Sequence, residues 1–274
     1  MRRSTLIEKF FADRGPHLAA MIAYFALLSF VPLAFLTLAL LGFTGRADES
    51  SFVVDEIRRA FPETPIEQIV RLVDAVRRNA TTLGLIGGVA LLWTALSLFS
   101  VLESAFNIVY GRPNRSFLHG KGLAVALMLG SLVTLFVALL AGSVGFEVLR
   151  RFAPGFIGNA VVAYGLSVAI STAGIFAFLV SVYYVLTNVR LSIRDVLPGA
   201  LFATVLLQVS FQILPIYVRF SNLNVALKTF GGPAILLVWL YVMSNVIVFG
   251  AEINWWRAHR TARARATDEV PGLA

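Results

Sequence analysis

The stretch Thr229–Ala251 reads TFGGPAILLVWLYVMSNVIVFGA, 23 residues without an Asp, Glu, Lys or Arg. About 20 apolar residues in a helix cross the hydrocarbon core of a bilayer, and a helix satisfies its own backbone hydrogen bonds there. This stretch is therefore read as a membrane-spanning helix. Five further charge-free stretches of spanning length precede it: Leu18–Gly45, Asn79–Leu102, Gly122–Phe146, Phe152–Val189 and Val196–Val218. The one from Phe152 opens on Ala153-Pro154-Gly155-Phe156-Ile157-Gly158, turn chemistry that moves its helix start to near Ala160. The fold class that follows is all-α: a polytopic membrane protein with six transmembrane helices. They run over about 18–43, 81–103, 122–146, 160–187, 196–218 and 230–252, in a single membrane domain over 1–274.

Composition agrees. Of 274 residues, 58% are hydrophobic and 14% charged, and the mean hydropathy is +0.81. Soluble domains are nearer a quarter charged. A soluble enzyme and a disordered regulator are excluded. The net charge of +8 would suggest a polyanion partner in a polar chain. Here the basic residues are topology markers, and no specific nucleic acid is expected. Lys and Arg number 13 in the segments on the N-terminal side of the membrane and 10 on the other. The ten include six in the loop over 46–78, which seven acids offset. The N and C termini are therefore placed in the cytoplasm. There are no cysteines, so disulfides, thiol nucleophiles and Cys-ligated zinc are out.

The loop over 46–78 is expected as a short extracytoplasmic helical hairpin broken at Pro62-Glu63-Thr64-Pro65. Val53, Ile57, Ala60 and Phe61 share one face of it, and Ile66, Ile69, Val70, Val73 and Val76 another. A basic cytoplasmic tail over 257–274 continues the last helix, with Arg257, Arg260, Arg263 and Arg265 suited to anionic headgroups.

Polar residues inside the spans mark faces that turn from lipid. On the second span these are Ser97, Ser100 and Asn107. On the fifth, Thr204, Gln208, Gln212 and Arg219 fall within roughly 80° at 100° per residue. On the sixth, Tyr241, Asn245 and Glu252 fall within about 40°. Two readings stand: hydrogen bonds that join helices, and the lining of a wet cavity. Candidate charges at the cytoplasmic rim are Arg14, Glu103, Arg112 and Glu252, with Arg219 at the outer rim. A carboxylate at a helix C-terminus opposes the macrodipole, so Glu103 and Glu252 each require a cation. Arg14, Arg112, Arg115 and Arg194 are available on that side. Such charges form either a structural salt-bridge ring or a gate.

Four motifs carry a family resemblance. They are Asp13-Arg14-Gly15-Pro16-His17-Leu18-Ala19-Ala20, Asn107-Ile108-Val109-Tyr110-Gly111-Arg112-Pro113 with Arg115, Leu197-Pro198-Gly199-Ala200, and Gly250-Ala251-Glu252-Ile253-Asn254. With Phe230-Gly231-Gly232-Pro233, and in this order along nearly the whole chain, they resemble YihY/BrkB-family membrane proteins. The resemblance implies a bacterial inner-membrane bundle linked to envelope maintenance and lipid-related transport. It also brings an older label, ribonuclease BN. The residues argue against that label: His17, His119 and His259 are isolated, and no metal-ligand spacing is present. No catalytic residue, cofactor or metal is expected, and the chain is read as no enzyme. The expected function is that of a transporter or flippase for an amphiphilic or lipid-like substrate, with membrane lipids as partners. The alternative is a non-transporting envelope scaffold or assembly partner.

The topology has a direct check. In Glu63→Cys and Thr267→Cys variants of the cysteine-free chain, an impermeant maleimide should label the two positions from opposite sides of the membrane. Labelling from one side would overturn the arrangement.

Overall fold

The computed structural model describes residues 5–43, 80–116, 119–127, 130, 160–221 and 225–268. Every regular element among them is a helix. They are α1 (Leu6–Ala12), α2 (Gly15–Phe43), α3 (Ala80–Val109), α4 (119–127), α5 (Ala160–Leu186), α6 (Ile193–Ser221) and α7 (Val225–Asp268). The hairpin expected over 46–78, the end of the tail and most of the third span lie outside the described residues.

Four helices are long and apolar enough to cross a membrane, over Leu85–Val109, Val168–Leu186, Ile193–Ile213 and Pro233–Arg260. The apolar stretch Gly15–Ser29 of α2 adds a shorter one. Their outer faces carry exposed stripes: Leu85, Ile86, Val89 and Trp93 on α3, and Leu201, Val205 and Val209 on α6. A protein in water keeps contiguous apolar patches to a few hundred Å². Stripes repeated helix after helix require hydrocarbon around them. The chain is a polytopic all-α membrane protein.

The N-terminus starts with a helix that the span count does not contain. Thr5 caps α1 by accepting from Glu8 N (3.2 Å), while Glu8 Oε2 accepts from Thr5 N (2.8 Å). This is a reciprocal capping box. The chain then turns at Arg14, whose φ of 57° lies in the left-handed region. A side chain there costs on the order of 1–3 kcal/mol and persists only where its surroundings enforce it. The Arg14 carbonyl accepts from His17 N and Leu18 N at 2.8 and 3.1 Å, which starts α2.

The helices divide into two compact units. One comprises Met1–Leu18, Leu102–Val209 and Asn245–Ala274; the other comprises Ala19–Val101 and Ser210–Ser244. The first has a core of Phe106, Val109, Leu179, Val182, Tyr183, Leu186, Val196 and Val248, all nearly without exposed surface. Phe106 and Tyr183 meet at its centre with ring centroids 5.1 Å apart. The second buries Ala19, Ile22, Ala23, Phe99 and Ile235, and stacks Phe211 edge-on against Trp239 at 5.3 Å.

Within the first unit, α6 and α7 meet at two glycines. A Cβ on Gly199 would overlap the Gly250 carbonyl and the Asn254 side chain. Small residues at such a crossing let backbones approach, which is how helices associate where no hydrophobic force separates them from lipid. Gly199→Ala should therefore lower stability in detergent by about 1–3 kcal/mol through overpacking, read as a lower Tm. Gly174→Ala, where nothing lies within 4 Å of a new Cβ, should lose nothing.

Candidate functional site

The first unit concentrates polar chemistry at the end where α1, α3, α5, α6 and α7 approach one another. Glu252 on α7 has 0% of its surface exposed. An isolated ionised carboxylate cannot stay buried at tolerable cost. Its partner is Lys9 of α1, whose ammonium donates to Glu252 Oε2 at 2.8 Å and to the Val109 carbonyl at 2.9 Å. The same ammonium is bonded to Asp13 one turn on. It also lies over the Trp255 ring, 4.1 Å from the centroid, a cation–π contact. One lysine thus joins the N-terminal helix, the end of α3 and the middle of α7.

A second group surrounds Glu103, 6% exposed, near the end of α3. Arg115, beyond the Tyr110–Pro113 turn, donates to Glu103 Oε1 from both its backbone N–H and its guanidinium at 3.3 Å. The guanidinium also donates to the Leu186 carbonyl (2.7 Å) and the Thr187 carbonyl (3.0 Å). Those carbonyls lie at the C-terminus of α5, where a helix leaves acceptors unpaired and carries negative potential. Arg115 answers both needs.

A third group is built on amides. Asn107 is fully buried; its Oδ1 accepts from Asn188 N at 2.7 Å and its Nδ2 donates to Asn114 Oδ1 at 3.2 Å. Asn254 Oδ1 accepts from Gly199 N at 2.7 Å in the first turns of α6. Tyr183 donates its hydroxyl to the Ile247 carbonyl at 2.7 Å. Tyr110, just past Val109, is partly exposed, but its hydroxyl oxygen is buried and has no partner among the described residues. Burial, then the negative potentials of Asp195 and Glu252, push its phenol well above the ordinary tyrosine range, so it remains a neutral hydroxyl.

The residues singled out from the sequence divide as follows. Glu103, Asn107 and Glu252 lie in this polar end, and Thr204, Gln208 and Asn245 belong to the same unit. Arg14 forms the α1–α2 turn and Arg112 is exposed. Ser97, Ser100, Gln212 and Tyr241 belong to the other unit. Ser97 donates to the Trp93 carbonyl one turn back, and Ser100 does the same to Leu96. Such bonding within one helix is the local alternative to joining two. The Arg219 side chain lies outside the described residues.

The cation on Glu252 differs from the arginines expected there: it is Lys9. Arg115 does serve Glu103. Lys9 and Tyr183 are absent from the sequence reading, and Asn254 enters it only as the end of a resemblance motif. The one signal for Lys9 was Thr5-Leu6-Ile7-Glu8, a capping box that announces a helix ahead of the first span.

Four of the resemblance motifs thus meet in one place, through Asp13, Asn107 with Arg115, Gly199, and Glu252 with Asn254. The chain matches the family described as Virulence factor BrkB over residues 6–271. The chain belongs to the BrkB family. Among BrkB-type relatives, it is 28% identical over 273 residues to the ribonuclease-like protein YfkH of Bacillus subtilis, covering 97% of each chain. It is 24% identical to a UPF0761 membrane protein of Psychrobacter sp., covering 97% of this chain and 49% of that one. A UPF0761 membrane protein of Chromohalobacter salexigens is 27% identical, with 93% and 62% covered. The chain therefore spans nearly all of YfkH but less than two thirds of the other two. No solved structure matches it significantly.

Removing one member of a buried ion pair strands the other charge. Lys9→Met should cost about 3–5 kcal/mol, whereas the Lys9→Met/Glu252→Met double variant should recover much of that loss. Thermal unfolding of the two single variants and the double variant checks this; additive losses would refute the coupling.

Proposed function

We propose that this BrkB-family chain is a transporter or flippase-type protein of the bacterial inner membrane, with both termini in the cytoplasm. Its substrate class is amphiphilic or lipid-like, and its role lies in envelope maintenance. The excess of Lys and Arg on the side of the termini supports the orientation. On that orientation the Lys9–Glu252 cluster closes the cytoplasmic end.

The observation that carries the reading is on α6. Thr204 is 1% exposed, and its Oγ1, together with Gln208 Oε1 one turn on, is buried with no partner among the described residues. The opposite face carries the exposed Leu201, Val205 and Val209. Buried polar atoms find hydrogen bonds in native proteins, and each orphan costs about 1–3 kcal/mol. A polar path inside the unit, wet or filled by a headgroup, supplies those partners. Purely structural polar contacts would be paired, as Asn107 is through both its Oδ1 and its Nδ2. That second pattern favours the alternative, a non-transporting scaffold whose knotted end is its purpose.

The ribonuclease-like name of the Bacillus relative suggests a third reading, which we do not extend to this chain. Hydrolysis of a phosphodiester on a metal calls for clustered ligands. Among the described residues no three His, Asp or Glu side chains are placed to hold an ion. His119 is bonded to Ser116 and His259 is stacked on Trp255.

Vesicles holding the purified protein and a fluorescent phospholipid test transport against scaffold. Quenching by an impermeant reductant should proceed past the outer leaflet faster than in protein-free vesicles. Gln208→Leu should return it to the protein-free rate with Tm unchanged. Wild-type vesicles no faster than empty ones would reject lipid movement, and parallel loss of Tm and rate would make Gln208 a joint between helices.

A further inference from the structure

The circumference of α1 divides into three. Lys9, Asp13, Leu6 and Phe10 fall within about 100° of one another at 100° per residue. Phe10 is buried and the other three half-buried, so this is the face packed on the first unit. Ile7 and Phe11, one turn apart, share a separate edge. They are 61% and 63% exposed. Glu8 and Ala12 form a third edge, also exposed.

What covers Ile7 and Phe11 follows from the level at which α1 sits. Phe10 meets Phe249 with ring centroids 5.4 Å apart, and the Lys9 ammonium lies 4.1 Å from the centroid of the Trp255 ring. Phe249 belongs to the charge-free stretch that ends at Ala251, whereas Trp255 lies beyond the first charge, Glu252. The six residues between them rise about 9 Å along a helix. α1 is thus held across the boundary where α7 leaves hydrocarbon, and the headgroup layer there is about 5–8 Å deep. The start of α2 holds it from another side: a Cβ on Gly15 would overlap the Phe10 ring. An apolar edge at this level, turned away from the protein, faces lipid.

A cation adjoins that edge. Arg14 N donates to the Phe11 carbonyl at 3.1 Å, which places Arg14 directly beyond it. Arg14 is exposed, and no ion pair engages it among the described residues. The acids nearest in sequence are already engaged, Glu8 with Thr5 N and Asp13 with Lys9.

We infer that α1 is a membrane-surface helix that holds an anionic phospholipid, with Ile7 and Phe11 in the acyl-chain boundary and the Arg14 guanidinium on the headgroup. A zwitterionic headgroup brings its own cation and has less need of Arg14. Lys9 of the same helix is bonded to Glu252, so the lipid contact and the buried pair support each other. The site does not depend on lipid movement, and its failure would leave the transport reading standing.

The chain has no cysteine, so one introduced position carries one probe. The test places the full chain in mixed phosphatidylcholine–phosphatidylglycerol vesicles, with an environment-sensitive fluorophore on Ile7→Cys, Phe11→Cys or Ala12→Cys. Spin-labelled phospholipid should quench the first two and aqueous iodide should spare them; Ala12→Cys should show the reverse. Iodide reaching Phe11→Cys as readily as Ala12→Cys would overturn the inference. Protection from both quenchers would overturn it too, because protein would then cover the edge. Moving the spin label from phosphatidylcholine to phosphatidylglycerol tests the headgroup. One basic residue near the surface corresponds to about fivefold enrichment of the anionic lipid, so quenching at Phe11→Cys should rise. Arg14→Gln should abolish that rise, and equal quenching by the two labelled lipids with Arg14 in place would overturn the anionic site. Ile7→Cys decides by the same comparisons if Phe11→Cys does not insert.

Discussion

Glu252 has none of its surface exposed, and a carboxylate so placed requires a cation at contact distance. Lys9 provides it from the far end of the chain, 243 positions away. That single requirement sets much else. The seven-residue α1 is too short to persist on its own. Its capping box, the docking of Phe10 against Phe249 at 5.4 Å and the ammonium at Glu252 hold it together. The carbonyl of Val109 shares the same ammonium, so the end of α3 is fixed in the same act.

Around this pair, helix ends supply the demand for polar side chains and the motifs supply the side chains. Helix C-termini leave carbonyls without donors, and in an apolar bundle these cannot be left to solvent. Arg115 takes those of α5, and Lys9 takes that of Val109. The backbone N–H of Gly199, in the opening turns of α6, is claimed by Asn254. The glycine itself is dictated by the Gly250 backbone against it. The BrkB motifs, scattered from Asp13 to Asn254, are thus one set of contacts at one end of one unit. The lipid-facing stripes of Leu, Ile and Val need only be apolar.

The spans were legible because a charge-free stretch of 20 or more residues is a property of composition. The need of Glu103 and Glu252 for cations was legible from the macrodipole alone. Which cation was not. Seven residues are too few to show a helical period, so α1 left no trace beyond Thr5 and Glu8, and nothing local tied Lys9 to α7. Ser97 and Ser100 show a different limit. A serine in a helix can bond its own carbonyl one turn back as well as a neighbour, and the choice depends on the surroundings. The face of Thr204 and Gln208 was legible from 3.6-residue periodicity, but not whether their oxygens would find partners.

The central claim is that Lys9 holds the end of α3 and the middle of α7 as well as α1. Amide hydrogen exchange of the wild type and Lys9→Met, resolved by peptide, measures this most directly. Exchange should rise in peptides covering Phe106–Arg115 and Val248–Asn254 together with those covering α1, while peptides from Ala19–Val101 stay unchanged. A rise confined to α1 would contradict the claim and reduce Lys9 to an anchor for its own helix.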